Sequence, residues 1–265
     1  RAEPATAVAI SHRLNSAPRS SGSSRRIVMT GCPARRSAAR RRRAGASLAR
    51  RSQIALLLIA LASGLAAQSR PKARLFPPED LGLLQGPDRD QWQKPDQIMD
   101  TLGIADGSVV ADLGAGGGWF TLRLARRVGP NGRVYAEDIQ RQMIEALGRR
   151  VQRENLSNVT PVLGTATDPR LPPGLDAVLI VDAYHEMDDP VTLLRNVSRS
   201  LKPHGRLGVV DFVAGAGGPG PSPDRRVDPE SVITTAAAAG FHLVAREAVA
   251  PFQFLLVFGR SADAR

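Results

Sequence analysis

Two hydrophobic patterns alternate along the chain from about residue 91 almost to its end. Short, nearly unbroken apolar runs are typical of strands buried in a parallel sheet, and apolar residues spaced three and four apart are typical of one face of a helix. The runs predict strands over 108–113, 133–138, 159–163, 175–181, 206–213, 241–248 and 252–260. The spacing predicts helices over 94–102, 119–128, 140–154, 191–201 and 229–240.

The order of these elements predicts the fold class. Five strands come with crossover helices, and the last two strands follow one another with only a turn between them. Crossover helices cover the faces of a parallel sheet, whereas a short turn joins antiparallel strands. We therefore expect an α/β fold: a Rossmann-like three-layer αβα sandwich whose seven-stranded, mostly parallel sheet ends in a C-terminal antiparallel hairpin.

Charge divides the chain into an N-terminal leader and a nearly neutral remainder. The whole chain has a formal charge of +11, but residues 1–53 alone carry +12, so residues 54–265 are left with −1. An Arg-rich stretch in an Ala, Ser and Gly background predicts a disordered leader over 1–53. We expect a linker over 68–90 and the organised domain over 91–265. A nucleic-acid partner is not expected, because the domain itself lacks the basic surface that such binding needs.

An uncharged apolar segment over 54–67 follows the Arg-rich leader and ends in small residues. A positive flank, a short apolar core and a small-residue end are typical of a signal peptide, and the segment is shorter than the ~20 residues of a membrane span. It is either a cleaved signal, an uncleaved membrane tether, or a segment of a cytoplasmic protein. The first two alternatives predict an exported, periplasmic or envelope-associated domain, because the positive flank stays inside.

A glycine-rich loop follows the first predicted strand and opens the next helix, over 109–120. Glycine lets the backbone turn sharply and approach a ligand with no Cβ in the way, and the free N–H groups of a helix start suit an anionic group. In a doubly wound sheet such a loop lies beyond the carboxyl ends of the strands, where ligands bind. A dinucleotide fingerprint would place a third glycine where this chain has Trp119.

The G-x-G-x-G spacing of this loop, preceded by Asp112, resembles the first motif of the class I S-adenosylmethionine-dependent methyltransferases. Asp138 at the end of the second strand, and the segments 171–179 and 201–207, resemble later motifs of the same family. The resemblance covers about 92–260. It implies the strand order 3-2-1-4-5-7-6, S-adenosyl-L-methionine as cofactor, and transfer of a methyl group to a small molecule. One departure is that the acid expected directly after the third strand comes only at Asp168.

The resemblance also implies which residues bind the cofactor. Asp138, or Glu137 beside it, is expected to accept hydrogen bonds from the ribose hydroxyls, Ile139 to contact adenine, and Asp182 to line the methionine end. The full set of expected cofactor-binding residues is Asp112, Gly114, Ala115, Gly116, Gly118, Glu137, Asp138, Ile139, Thr165 and Asp182.

Methyl transfer requires alignment of the acceptor and exclusion of water, and it requires a base only when the acceptor carries a proton. Tyr184, His185 and Glu186 follow the fourth strand and are expected to face the acceptor. His185 titrates in the useful range and is the candidate general base. Alternatively, His185 and Tyr184 only wall the pocket or cap the next helix. Trp92 is either a lid or a core anchor, and the Gly- and Pro-rich loop over 214–223 is either a mobile lid or a surface insertion.

Three functions remain open at this point. The first is a catalytic methyltransferase acting on an O-, N- or C-nucleophile of a small molecule, as a monomer or homodimer. The second is a non-catalytic module that binds or senses the same cofactor, and the third is a nicotinamide-dependent oxidoreductase. The only cysteine, Cys32, lies in the leader, so no cysteine-based metal site or thiol nucleophile is expected in the domain, and no metal is expected at the site.

Overall fold

A computed structural model describes residues 74–261. The predicted leader over 1–53 and the apolar segment over 54–67 lie outside these residues. The α-helices are α1 (Arg89–Gln93), α2 (Pro95–Thr101), α3 (Trp119–Val128), α4 (Arg141–Arg153), α5 (Pro190–Ser200) and α6 (Pro229–Ala238). Short 3-10 helices span Pro78–Gln85, Tyr184–Glu186 and Pro223–Arg225. The strands are β1 (Val109–Leu113), β2 (Arg133–Asp138), β3 (Val159–Leu163), β4 (Leu175–Val181), β5 (Leu201–Phe212), β6 (Phe241–Ala250) and β7 (Gln253–Arg260).

The strands form one seven-stranded sheet in the order β3-β2-β1-β4-β5-β7-β6, which confirms the predicted topology. The first five strands run parallel, and β7 pairs antiparallel with both β5 and β6. The carboxyl ends of β1, β2 and β4 therefore meet at one edge of the sheet, next to the point where the strand order reverses. Ligands bind at this position in doubly wound sheets.

Two hydrophobic clusters cover the two faces of the sheet, as the three-layer prediction requires. Val110 packs with helices α2, α3 and α4 on one face, whereas its neighbour Ala111 packs with α5 and α6 on the other. Successive side chains of a strand point to opposite faces, so a strand covered on both sides must be apolar at nearly every position. This explains why β4 appears in the sequence as an unbroken apolar run from Ala177 onward.

Two differences from the sequence expectation exceed two residues. Strand β5 begins at Leu201, because Leu201 already pairs with Leu175 before an irregularity in the ladder. The interval over 68–90 is not wholly a linker, because its described part contains the 3-10 helix Pro78–Gln85 and the start of α1. These helices are too short for a periodic pattern to identify them. Within the described part of the chain, no helix has the length and apolar composition needed to cross a bilayer.

Candidate active site

A cavity of about 1010 Å³ opens at the carboxyl ends of the strands. Its walls come from the glycine loop after β1, the ends of β2 and β4, the segment before α2, and the loop before α6. Ligand pockets commonly enclose ~300–1,000 Å³, so this one has room for a nucleoside cofactor together with a second small molecule. Trp92 and residues 219–221 also line it, so both features left open by the sequence contribute to the cavity.

The glycine loop adopts backbone conformations that other residues rarely take. Gly114 and Gly116 have φ values of 77° and 52°. A Cβ at Gly114 would lie 2.5 Å from the Cβ of Ala183, so only glycine allows this close approach between the β1 and β4 ends. The amides of Gly114 and Ala115 donate to the backbone carbonyl of Glu137, which ties the loop to β2.

Gly118 has a role in helix packing. It does not line the cavity, and a Cβ at this position would lie 2.4 Å from Cδ1 of Leu147 on α4. Its φ of 80° also favours glycine. Gly118 therefore allows α3 to start close against α4, and its contact with the cofactor stays a prediction.

Two acids at the carboxyl edge, Asp112 and Asp138, are buried and bonded to the protein. Oδ2 of Asp138 accepts from the amide of Gly116 at 3.0 Å, and Oδ1 accepts from the amide of Gln140 at 2.8 Å. Burial raises the pKa of Asp138, although both amides act in the opposite direction. Asp112 accepts from the hydroxyl of Thr121 at 2.6 Å, and burial raises its pKa to about 6.

The third acid, Glu137, is buried without being fully bonded. Its Oε1 atom has no hydrogen-bond partner among the residues that the structure describes, and burial raises its pKa to about 8. An unpartnered buried oxygen in a cavity wall is suited to a ligand that carries hydrogen-bond donors. The residues present thus fit the nucleoside that the resemblance implies, with Ile139 half-exposed beside Asp138 and Thr165 on the β3 side.

Asp182, at the end of β4, belongs to a buried polar network rather than standing alone. It has a left-handed φ of 57°. Its carboxylate accepts a hydrogen bond from the guanidinium of Arg89 at 2.6 Å and another from the side-chain amide of Gln253. Gln253 in turn accepts from Gln93 at 2.6 Å. Burial raises the pKa of Asp182 to about 6, against the opposing charge of Arg89. Arg89 lies over the ring of Trp119, 4.2 Å from its centroid.

His185 forms a buried pair with Asp211 of β5. Its Nδ1 lies 3.1 Å from Oδ1 of Asp211, its backbone amide donates to Oδ2 at 3.0 Å, and its side chain is only 5% exposed. Burial lowers the pKa of His185, but the hydrogen bond and charge of Asp211, with the charge of Glu186, outweigh it and raise the pKa overall. With Nδ1–H directed at Asp211, Nε2 is left as the basic nitrogen.

Glu186 connects this pair to the described segment that precedes α1, residues 74–88, which we call the N-terminal segment. Its Oε2 accepts from the backbone amide of Phe76 at 3.0 Å, and its Oε1 lies 3.6 Å from Nε2 of His185. The carbonyl of Phe76 accepts from Gln140 at 3.0 Å. Arg225, beyond the Gly- and Pro-rich loop, lies 3.4 Å from Oε1 of Glu186. The N-terminal segment is thus bonded to both the β2 and the β4 ends.

Tyr184 is not placed where the sequence suggested. Its side chain is buried in the cluster beneath β4 and β5, and it does not line the cavity. This placement does not support the expectation that Tyr184 faces the acceptor, which stays a prediction. His185 and Glu186 do line the cavity. The 3-10 turn over Tyr184–Glu186 rotates the three neighbouring side chains in different directions, which a linear motif does not reveal.

Sequence reasoning missed Asp211, Arg89 and Gln253. Asp211 interrupts the apolar run of β5, and a charged residue inside a buried strand was a signal that could have been used. Arg89 and Gln253 carried no comparable signal, because one lies in an apparent linker and the other at a strand start. No cluster of three or more metal-ligating side chains occurs among residues 74–261.

Comparison with known proteins agrees with this geometry. Residues 110–205 match the model of a family described as a methyltransferase domain. A methyltransferase structure from Aquifex aeolicus, described as S-adenosylmethionine dependent, superimposes with a TM-score of 0.67 at 25% identity. The match covers 69% of this chain and 98% of that one.

Curated relatives match over a shorter stretch. The ubiquinone/menaquinone biosynthesis C-methyltransferase UbiE of Pasteurella multocida is 36% identical over 121 residues, which is 43% of this chain and 43% of the relative. The demethylmenaquinone methyltransferase of Geobacillus sp. strain WCH70 is 28% identical over 118 residues, 44% of this chain and 50% of the relative. The chain thus spans about half the length of these relatives or less.

Proposed function

The chain belongs to the class I S-adenosylmethionine-dependent methyltransferases, and from that premise we propose that it methylates a small apolar acceptor whose reacting atom loses a proton to His185. The observation that carries the proposal is the His185–Asp211 pair, which lines the same cavity as the glycine loop. A buried histidine oriented by a carboxylate is an arrangement that suits proton abstraction.

The roles of the residues follow from their positions. When bound, S-adenosylmethionine would supply an electrophilic methyl group whose transfer leaves a neutral thioether. Asp211 fixes the ring of His185 so that Nε2 is free to accept a proton. The nucleophilic atom of the acceptor would receive that methyl group, and Nε2 of His185 is placed to take the proton that this atom loses. The N-terminal segment excludes water from this step.

The cavity walls favour an apolar, aromatic acceptor. On the acceptor side they include Phe76, Trp92, Met187, Phe212 and Phe252. Burial of an apolar ligand against aromatic and aliphatic side chains makes binding more favourable, and these side chains offer few hydrogen-bond partners to a charged ligand. The names of the relatives refer to methylation in quinone biosynthesis, and quinone precursors are apolar ring compounds. We therefore propose a phenol or hydroquinone as the acceptor, methylated on oxygen or ring carbon.

Transfer of a labelled methyl group tests this proposal. The full chain is incubated with methyl-labelled S-adenosylmethionine and separate panels of hydroquinones, amines and carboxylates. We expect label in the hydroquinone panel and a loss of about 100-fold or more in rate for His185→Gln, since general bases contribute roughly 10²–10⁴-fold. The matched control is His204→Gln, because His204 is exposed near the start of β5, at the other end of the strand from Asp211.

The outcomes separate the alternatives. Label transferred only to amines or carboxylates contradicts the acceptor class. Equal rates for His185→Gln and the unaltered chain contradict the base. Cofactor binding with no transfer to any panel would favour a binding or sensing module instead.

A further inference from the structure

The carboxyl group of Glu137 lies where a side chain at position 164 would begin. A Cβ added to Gly164 would lie 1.9 Å from Oε1 of Glu137 and 2.8 Å from its Cδ. Gly164 directly follows β3, and its backbone amide donates to the carbonyl of Asp138. The glycine thus leaves a space after β3, and an acid from the neighbouring strand fills it.

Glu137 is also the acid of this edge with unused bonding capacity. The residue is 2% exposed, and its Oε1 has no hydrogen-bond partner within the described residues. Both carboxylate oxygens of Asp138, in contrast, accept from backbone amides. Rotation about the last bond of a glutamate side chain is broad and exchanges its two oxygens, so either one can face the cavity that Glu137 lines.

The strand order indicates which part of the cofactor reaches Glu137. The proposed base and its partner lie at the ends of β4 and β5, so the reacting methyl group must lie toward that side. The sheet runs β3-β2-β1-β4-β5, and the glycine loop after β1 lies between the two sides. The opposite end of an extended nucleoside, its purine base, therefore lies toward β2 and β3, where Ile139, Thr165 and Ala166 line the cavity.

We propose that the carboxyl group of Glu137, at the end of β2, forms hydrogen bonds with the purine base of the cofactor. It occupies the space that a side chain at position 164, directly after β3, would otherwise fill. This inference rests on the proposed use of S-adenosylmethionine. A carboxylic acid offers one acceptor and one donor, which matches the 6-amino group and the neighbouring ring nitrogen of adenine. Burial, with the charge of Asp138 acting in the same direction, raises the pKa of Glu137, and this favours the protonated form that such a pair requires.

Asp168 is the competing source of an acid after β3. It does not line the cavity, and its carboxylate accepts from the backbone amide of Arg170 at 2.8 Å. The hydroxyl of Thr165 donates to the backbone carbonyl of Asp168 and accepts from its backbone amide, and these two hydrogen bonds hold the loop in its conformation. Asp168 therefore stabilises the loop after β3, whereas Glu137 supplies the proposed hydrogen bonds to the purine base.

Calorimetry on the full chain with two ligands tests the assignment. The ligands are S-adenosylhomocysteine and its analogue with hydrogen in place of the 6-amino group. We expect Glu137→Leu to weaken binding of S-adenosylhomocysteine about tenfold or more, as loss of a buried hydrogen-bond pair predicts. The same variant should lose clearly less affinity for the analogue, which keeps only the ring nitrogen of the pair. Glu137→Gln, whose amide also offers a donor and an acceptor, should restore most of the affinity.

Two further variants keep the test decisive. Gly164→Ala leaves Glu137 in place but forces its carboxyl group to move, so it should weaken S-adenosylhomocysteine binding selectively even if Glu137→Leu does not fold. Asp168→Asn is the control and should bind as the unaltered chain does. Equal losses for both ligands in Glu137→Leu, or a selective loss in Asp168→Asn, would overturn the inference. An unaltered chain that binds neither ligand would instead contradict the proposed function.

Discussion

At the scale of single residues, the chemistry depends on side chains that modify one another. Asp211 bonds both the ring and the backbone amide of His185, and Glu186 adds a second negative charge near Nε2. Burial alone would lower the pKa of His185, so its raised pKa comes from these two carboxylates. A raised pKa makes the imidazole a stronger base, at the cost of keeping it protonated up to a higher pH.

The variant Asp211→Asn tests this coupling through its pH profile. A histidine acts as a base only when it is neutral, so the rate rises with pH through its pKa. Removing the charge of Asp211 lowers that pKa, and the acidic limb of kcat/KM against pH should shift to lower pH. The maximal rate should fall about 10-fold or more, because the base is weaker and less well oriented. An unchanged acidic limb would show that a group other than His185 titrates.

At the scale of elements, the segment before α2 completes the site. The 3-10 helix Pro78–Gln85 packs against the glycine loop, with Cδ2 of Leu81 2.8 Å from the position of a Cβ at Gly117. The carbonyl of Leu84 accepts from Arg89 at 2.8 Å, and Arg89 continues to Asp182 at the end of β4. The helix is therefore connected to the cofactor side of the cavity by packing and by hydrogen bonds.

A pair of substitutions in this helix tests its contribution. Leu81→Asp places a charge at a half-buried position against the glycine loop and should weaken binding of S-adenosylhomocysteine about tenfold, because a carboxylate that loses part of its hydration without gaining a partner costs ~1–3 kcal/mol. Leu83→Asp introduces the same charge in the same helix at the rim of the cavity, where the side chain is 77% exposed, and it should lower the affinity much less. Calorimetry on both variants makes the comparison. Equal affinities for the two variants would mean that the helix does not support the cofactor site.

At the scale of the whole molecule, the basic charge and the catalytic domain lie in different parts of the chain. Residues 1–53 carry +12, and the uncharged segment over 54–67 separates them from a domain that is close to neutral. We propose that the segment over 54–67 directs the domain to the cell envelope. An apolar acceptor, as proposed above, partitions into a membrane, which is consistent with such a location.

Fractionation of cells that express the full chain tests this proposal. We expect the chain in the envelope or periplasmic fraction, detected by antibody. The double variant Leu57→Lys and Leu58→Lys breaks the apolar segment and should move the chain to the soluble cytoplasmic fraction, since each lysine costs roughly 2.5–3.5 kcal/mol on insertion. Recovery of the unaltered chain in full-length form from the soluble cytoplasmic fraction would contradict the proposal.

The sequence by itself determined the fold and the general location of the site. Unbroken apolar runs and helical spacing depend on local periodicity, so α3, β2 and β4 were predicted with the bounds that the structure shows. The glycine loop was identified for the same reason, because its backbone conformation is a local property of glycine. The tertiary structure alone decided which side chains meet. Asp211 is 26 residues from His185 and Arg89 is 93 from Asp182, and Glu137 reaches the space above Gly164 only because β2 and β3 are neighbours. Such contacts depend on strand pairing and on the rotation of a turn, which also removed Tyr184 from the cavity, and no local pattern encodes them.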